Sequence, residues 1–276
     1  MALFELEILG GASERRYRKM RPEIDDMPWG TLDLSGVSEE DRIAARRAWT
    51  TAAYQEHRTA VGVTAALRAL LEANAPLDLI GLAARFPLDE TAHVELCARM
   101  AMEAGGGTEI LYQPDAVVMD ADRELSPLMR AGDLVVRFFC VGEALSIPLI
   151  RGTWKAARHP LPRAILGRIL RDEAAHGTFG FLFLDWALPK LDEREKERLA
   201  ESADLAIVAV SSQWEEIRTR PPTPACDGNP LAWLDSDAYL RLAARSMNQN
   251  VLKPLRDRGI PVKSFPNGVP SRERAA

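Results

Sequence analysis

The chain has 276 residues, 47% of them hydrophobic and 27% charged, the profile of an ordinary globular protein long enough to bury a large core. A formal charge of -5 and a pI near 5.6 argue against a nucleic-acid or anionic-membrane partner. Three widely spaced cysteines, Cys97, Cys140 and Cys226, do not make a disulfide framework and fit a reducing cytoplasm. No uncharged apolar run of about 18 residues occurs, so no transmembrane helix is expected. The first twenty residues lack the basic-then-apolar pattern of a secretory signal.

Residues 1–37, broken by Pro22, Pro28 and Gly30, read as an irregular N-terminal arm. Ser38 followed by Glu39, Glu40 and Asp41 predicts a capped helix start. That helix, free of proline, should run to about Asn74 and span about 50 Å at 1.5 Å per residue. Asn74-Ala75-Pro76 ends it. A second helix is predicted from about Leu77 to Glu103, stopped by Gly105-Gly106-Gly107. Residues 104–125 form a long connection in which Ile110–Tyr112 and Val117–Met119 are irregular or briefly extended. A third helix follows Ser126-Pro127 and lasts to His159-Pro160, and a fourth runs from about Leu161 to Leu188. Two more are predicted, from Asp192 to about Ile217 and from Ser236 to about Arg258, with a loop at Pro221–Pro224 between them. The tail, 259–276, is rich in proline, glycine and charge and is expected to be poorly ordered. The chain is therefore all-α. A four-helix bundle with a long crossover occupies 38–190, and additional packed helices occupy 191–258.

Two segments read almost identically, Asp89-Glu90-Thr91-Ala92-His93 and Asp172-Glu173-Ala174-Ala175-His176. Residues three apart on a helix share a face, with Cβ atoms about 5–6 Å apart, so each Glu and His can address the same metal. Each motif trails a lone glutamate: Glu56 lies 34 residues before Glu90, and Glu143 lies 30 before Glu173. One Glu from each of two helices, with Glu-x-x-His from each of the other two, is the ligand set of di-metal carboxylate bundles. The duplication is what makes the signal specific.

Every one of these ionisable groups sits in a stripe of apolar or small residues at helical period, such as Trp49, Ala53, Glu56, Ala60 and Val63. No Lys or Arg lies in the stripes. Four buried carboxylates without partners would cost several kcal/mol each, and two divalent cations would remove that cost. Oxygen-rich ligands with two imidazoles favour iron, or manganese, over zinc. Asp89 and Asp172 are expected to hold the second ring nitrogen of a histidine, potentially the one on the opposite helix. Cys97 and Cys140 lie close enough along their helices to line a cavity, although a small buried hydrophobe is the commoner role. Gly177 and Gly180, beside the metal face, leave room for dioxygen or substrate, or else serve tight helix packing. His57 and His159 read as surface residues.

The duplicated Asp-Glu-x-x-His pattern resembles the di-iron carboxylate oxygenases and oxidases of the ferritin-like superfamily, over roughly residues 45–188. Ala92 and Ala175 stand where the monooxygenase hydroxylases often carry arginine. The resemblance implies Glu56, Glu90 and His93 for one half-site and Glu143, Glu173 and His176 for the other, with one motif glutamate from each half bridging the ions.

Three functions compete on this reading. The first is a non-haem di-iron enzyme that uses O2 to oxidise a small organic substrate by hydroxylation, N-oxygenation or desaturation. The second is an iron-handling ferroxidase or ferritin-like protein without organic substrate. The third is a bundle whose metal is structural. The length beyond a minimal bundle favours the first, because extra layers cap the bundle, build a pocket or form a homodimer face. No Cys-x-x-Cys pair is present, so electrons must come from an external reductase or ferredoxin.

Overall fold

The computed structural model describes residues 2–112, 119–219, 231 and 236–263. The architecture is all-helical, apart from a two-residue antiparallel ribbon in which β1 (Ala2–Leu3) pairs with β2 (Leu111–Tyr112).

The arm is more regular than its prolines suggest. It holds α1 (Gly11–Met20) and a 3-10 turn at Pro22–Ile24. α1 has no buried residue, so its own periodicity carries no core signal, and it forms as a polar helix lying on the surface of the domain. α2 (Glu39–Glu72) begins as the sequence predicts: the Ser38 hydroxyl accepts from the Asp41 amide, and three acids occupy the first turn. Asn74, with φ of 49°, reverses the chain into α3 (Leu77–Glu103). The third helix is one continuous run in three parts: α4 (Pro127–Val135), a π-helical segment (Val136–Glu143) and α5 (Ala144–Ala156). α6 (Pro160–Ala187) opens on a His159 ring that accepts from the Leu161 amide at 3.1 Å. α7 (Glu193–Thr219), α8 (Ser236–Ser246), a second π segment (Met247–Leu252) and α9 (Lys253–Asp257) complete the described chain.

α2 packs on α3 and α4, while α6 packs on α3, on α5 and on the π segment, which closes a ring of four helical runs. α7 and α8 lie outside it, against α4 and the π segment and against α5 respectively. One buried apolar cluster extends from Val63 through Phe139, Phe179 and Leu199 to Val262, so the added helices share the bundle's core. Ile260 and Val262 belong to it. The chain just past Gly259 is therefore anchored rather than loose, and residues 264–276 lie outside the described residues, as do Pro221–Pro224 and Cys226.

Pro148 removes an amide that would bond to Ala144. The Ser246 hydroxyl, from α8, sits 3.4 Å from the Ala144 carbonyl and 3.3 Å from that of Leu145, and donates there instead. The outer helix thus mends the inner one.

Candidate metal centre

Glu90, His93, Glu173 and His176 are 0–2% exposed, Glu143 is 6% exposed, and the Glu56 side chain is 17% exposed. Glu56, Glu90, His93 and Glu173 bring one ligand atom each within 4.8 Å of one another, and so do Glu90, Glu143, Glu173 and His176. The structure thus gathers all six residues that the sequence nominates, and Glu90 and Glu173 belong to both groups. Both imidazoles aim Nδ1 inward. His93 Nδ1 stands 3.3 Å from Glu173 Oε1 and 3.7 Å from Glu56 Oε2, and His176 Nδ1 stands 2.9 Å from Glu90 Oε1 and 3.2 Å from Glu173 Oε2.

These atoms are close without being hydrogen-bonded. Both oxygens of Glu90, Glu173 Oε2 and both Nδ1 atoms are buried with no partner of acceptable geometry. Buried polar groups almost always find partners, so a cluster of lone pairs converging on shared points fits two cations better than it fits a hydrogen-bond network. Electrostatics say the same. Burial, with the neighbouring carboxylates adding to it, pushes Glu56 up to about 8 and Glu143 well above the carboxylate range. Burial alone would depress His176, but Asp89, Glu173 and Glu90 raise it to about 12. Without a cation, the cluster can only neutralise itself with protons.

The opposite ring nitrogens face the two aspartates unequally. His93 Nε2 is hydrogen-bonded to Asp172 Oδ2 at 3.3 Å, whereas His176 Nε2 lies 3.5 Å from Asp89 Oδ2 without hydrogen-bond geometry; each aspartate faces the histidine on the other helix. Around this aspartate pair stand three guanidinium groups. Arg21 donates to Asp89 at 2.5 Å and Asp172 at 2.8 Å, Arg85 reaches Asp89 at 2.9 Å and Asp172 at 2.8 Å, and Arg168 binds Asp172. Burial would raise Asp172; His93, Arg168 and Arg21 more than offset it and hold its carboxyl well below the usual range. Two of these arginines left a trace in the sequence: Arg85 and Arg168 each stand four residues before the motif aspartate, which extends the duplicated pattern to Arg-x-x-x-Asp-Glu-x-x-His. Arg21, from the arm, left none.

The cavity differs from the sequence expectation in its lining. A pocket of about 410 Å³ opens beside Glu56. Trp49, Leu149 and Ile169 wall it, and Cys97, Ser146 and Tyr239 also line it. Ser146 stands 3.3 Å from Glu143 Oε2, which ties the pocket to a second nominated ligand. Cys97 lines it as expected. Cys140, Gly177 and Gly180 do not. A Cβ on Gly180 would lie 2.7 Å from Cys140 Sγ and 2.9 Å from its backbone nitrogen, and one on Gly177 would collide with Ile147. Both glycines therefore let the π segment and the start of α5 press against α6, and the space they save is filled by protein. Burial pushes the Cys97 and Cys140 thiols up, so both stay protonated. Outside the centre, His57 is half-buried rather than free, packed 5.3 Å from the Phe4 ring and 6.0 Å from Tyr112.

The chain matches no family model, and no curated protein matches it. No helix among the described residues is long and apolar enough to cross a membrane.

Proposed function

We propose that this chain is a ferritin-like di-iron protein that uses O2 to oxidise a small, largely apolar organic molecule held in the pocket beside Glu56. The observation that carries the reading is the pair of buried carboxylate–imidazole groups that share Glu90 and Glu173 and leave their inner lone pairs without partners. Glu56 and His93 would complete one metal position, Glu143 and His176 the other, and the two shared glutamates would hold both ions; manganese suits the same donors.

Two ferrous ions, when held there, would supply the electrons that activate dioxygen. The chain's own residues do the rest. Asp172, bonded to His93 Nε2, and Asp89, facing His176 Nε2 at 3.5 Å, would place each ring's proton on Nε2 and turn its lone pair inward. Phe86, whose ring centre is 4.2 Å from that of His176, closes the far wall against water with Phe139 and Phe179. The pocket seats the substrate against the one nominated ligand that is partly exposed. Hydroxylation, N-oxygenation and desaturation each consume two electrons beyond those of the substrate pair, so an external reductase or ferredoxin is part of the proposal. A cytoplasmic setting is proposed with it.

Elemental analysis after anaerobic iron loading tests the metal, and product analysis after air exposure with a panel of small aromatic and aliphatic compounds tests the reaction. About two irons per chain and a new oxygenated or desaturated product are expected. Two irons with O2 consumption but no organic product would replace this reading with a ferroxidase. Fewer than one metal per chain would sink both.

A further inference from the structure

The arm is fastened to the domain by apolar contact and by charge together. No residue of α1 is fully buried, but Tyr17 packs half-buried against the core, and Ile24 is the one fully buried apolar residue of segment 11–24. Charge enters the interior as well. Arg18 makes a two-pronged contact to Glu95 at 2.8 and 2.5 Å. Arg21, 4% exposed, holds Asp89, Asp172 and Glu23 at 2.5–2.8 Å. A buried guanidinium without carboxylates is strongly destabilising, so Arg21 can be inside only because the aspartate pair, with Glu23, receives it.

The dependence runs the other way as well. Asp89 on α3 and Asp172 on α6 are 1% and 0% exposed; Asp172 is hydrogen-bonded to His93 of the helix opposite, and Asp89 faces His176 at 3.5 Å. Two buried carboxylates facing each other repel. Arg85 and Arg168 also bind them, but their side chains are 55% and 20% exposed and belong to the same two helices. Arg21 is the bridging cation that comes from outside the ring of helices, and it is the most deeply buried of the three.

We infer that the N-terminal arm is a working part of the metal centre: Arg21 clamps Asp89 to Asp172, sets both imidazoles, and thereby makes arm docking and metal binding reinforce each other. The inference rests on the metal-binding half of the proposed function and on nothing about the reaction. Linkage makes the effect reciprocal. Whatever the docked arm adds to metal affinity, bound metal adds to arm docking. Arg21 is a positioning residue, since it touches no nominated ligand.

Limited trypsin digestion combined with anaerobic cobalt(II) titration tests it, because Arg15, Arg16 and Lys19 on α1 are exposed cleavage sites. In the wild-type chain, cobalt loading should slow cleavage within α1 at least tenfold. Arg21→Met should weaken cobalt binding severalfold, less than the about 10–100-fold usual for losing a direct partner of a metal ligand, because Arg21 acts through the two aspartates. It should also leave α1 cleaved at one rate with or without metal. Arg21→Lys should recover part of the affinity. Arg18→Ala, which loosens the arm at Glu95 without touching either aspartate, should lower cobalt affinity by a smaller factor and keeps the test open if Arg21→Met fails to fold. Wild-type cobalt affinity in both Arg21→Met and Arg18→Ala, or arm cleavage indifferent to metal in the wild type, would overturn the inference alone. A wild-type chain that binds no cobalt would overturn the metal reading and this inference with it.

Discussion

The two halves of the duplicated motif are near copies in sequence and unlike in their surroundings. The half built by Glu56 and His93 meets a pocket, and its glutamate is 17% exposed. The half built by Glu143 and His176 is walled by Phe86, Phe139 and Phe179, whose ring centres lie 4.8–5.4 Å apart. The difference comes from the two helices that carry the lone glutamates. Around Glu56, α2 presents alanines, and the space they leave stays open. Around Glu143 the backbone itself is widened into the looser winding of π geometry, glycines on α6 admit it closely, and phenylalanines take the volume. The candidate ligand set thus has a dry wall at His176 and an approachable side at Glu56, with Ser146 carrying the pocket's rim to Glu143; a centre needs such an approach if it is to act on something other than itself.

This contrast can be broken in steps. Glu90→Ala and Glu173→Ala remove ligands common to both groups, so each should abolish tight binding of both ions, whereas Glu56→Gln should leave about one metal per chain; elemental analysis after desalting separates the three. Equal metal contents in Glu56→Gln and Glu90→Ala would mean that the halves do not share glutamates. Phe86→Ala opens the dry wall at a fully buried ring and should cost about 3–5 kcal/mol in denaturant unfolding. Gly180→Ala pushes a methyl into Cys140 and Phe139 and should cost about 1–3 kcal/mol, with weaker metal binding traced to Glu143.

The smallest effect expected is one of pH. Glu56, raised to about 8 in the folded metal-free chain from an ordinary 4.5, favours folding while protonated; that contribution is lost as pH rises from about 4.5 to 8. His176, raised to about 12, is worth most below its ordinary 6.5 and loses its contribution above that. Both shifts destabilise the metal-free chain with rising pH, and bound metal, which displaces those protons, removes both penalties. The rise in melting temperature on cobalt loading should therefore be larger at pH 8 than at pH 6. A rise that shrinks with pH would show that the cluster titrates in the opposite sense.

Much of this was legible in the sequence because it is written at short range. Ser38 and the acids behind it mark the start of α2, and Pro76 and the triple glycine bound α3 within a residue or two. The six nominated ligands stand out because helical spacing and duplication act together. Arg85 and Arg168 are equally legible at four residues before each aspartate, but a wheel that searches only the inward stripe passes over them. Arg21 is not legible at all. It lies 68 and 151 residues from its partners, and no periodicity records a contact of that reach. The choice between open room and tight packing at Gly177 and Gly180 is hidden from the sequence for a similar reason. A missing side chain announces room, but only the neighbouring helix decides whether that room stays empty.

The π segment has a mechanical consequence of its own. An α-helix keeps one phase along its length, so turning one end turns the other. Extra residues wound into Val136–Glu143 break that phase. α4 can then seat itself on α2 and α7 while α5 follows α6 and α8 at its own angle. The long third helix behaves as two levers joined at a slip, with Glu143 at the joint, and repacking at either lever need not rotate the other.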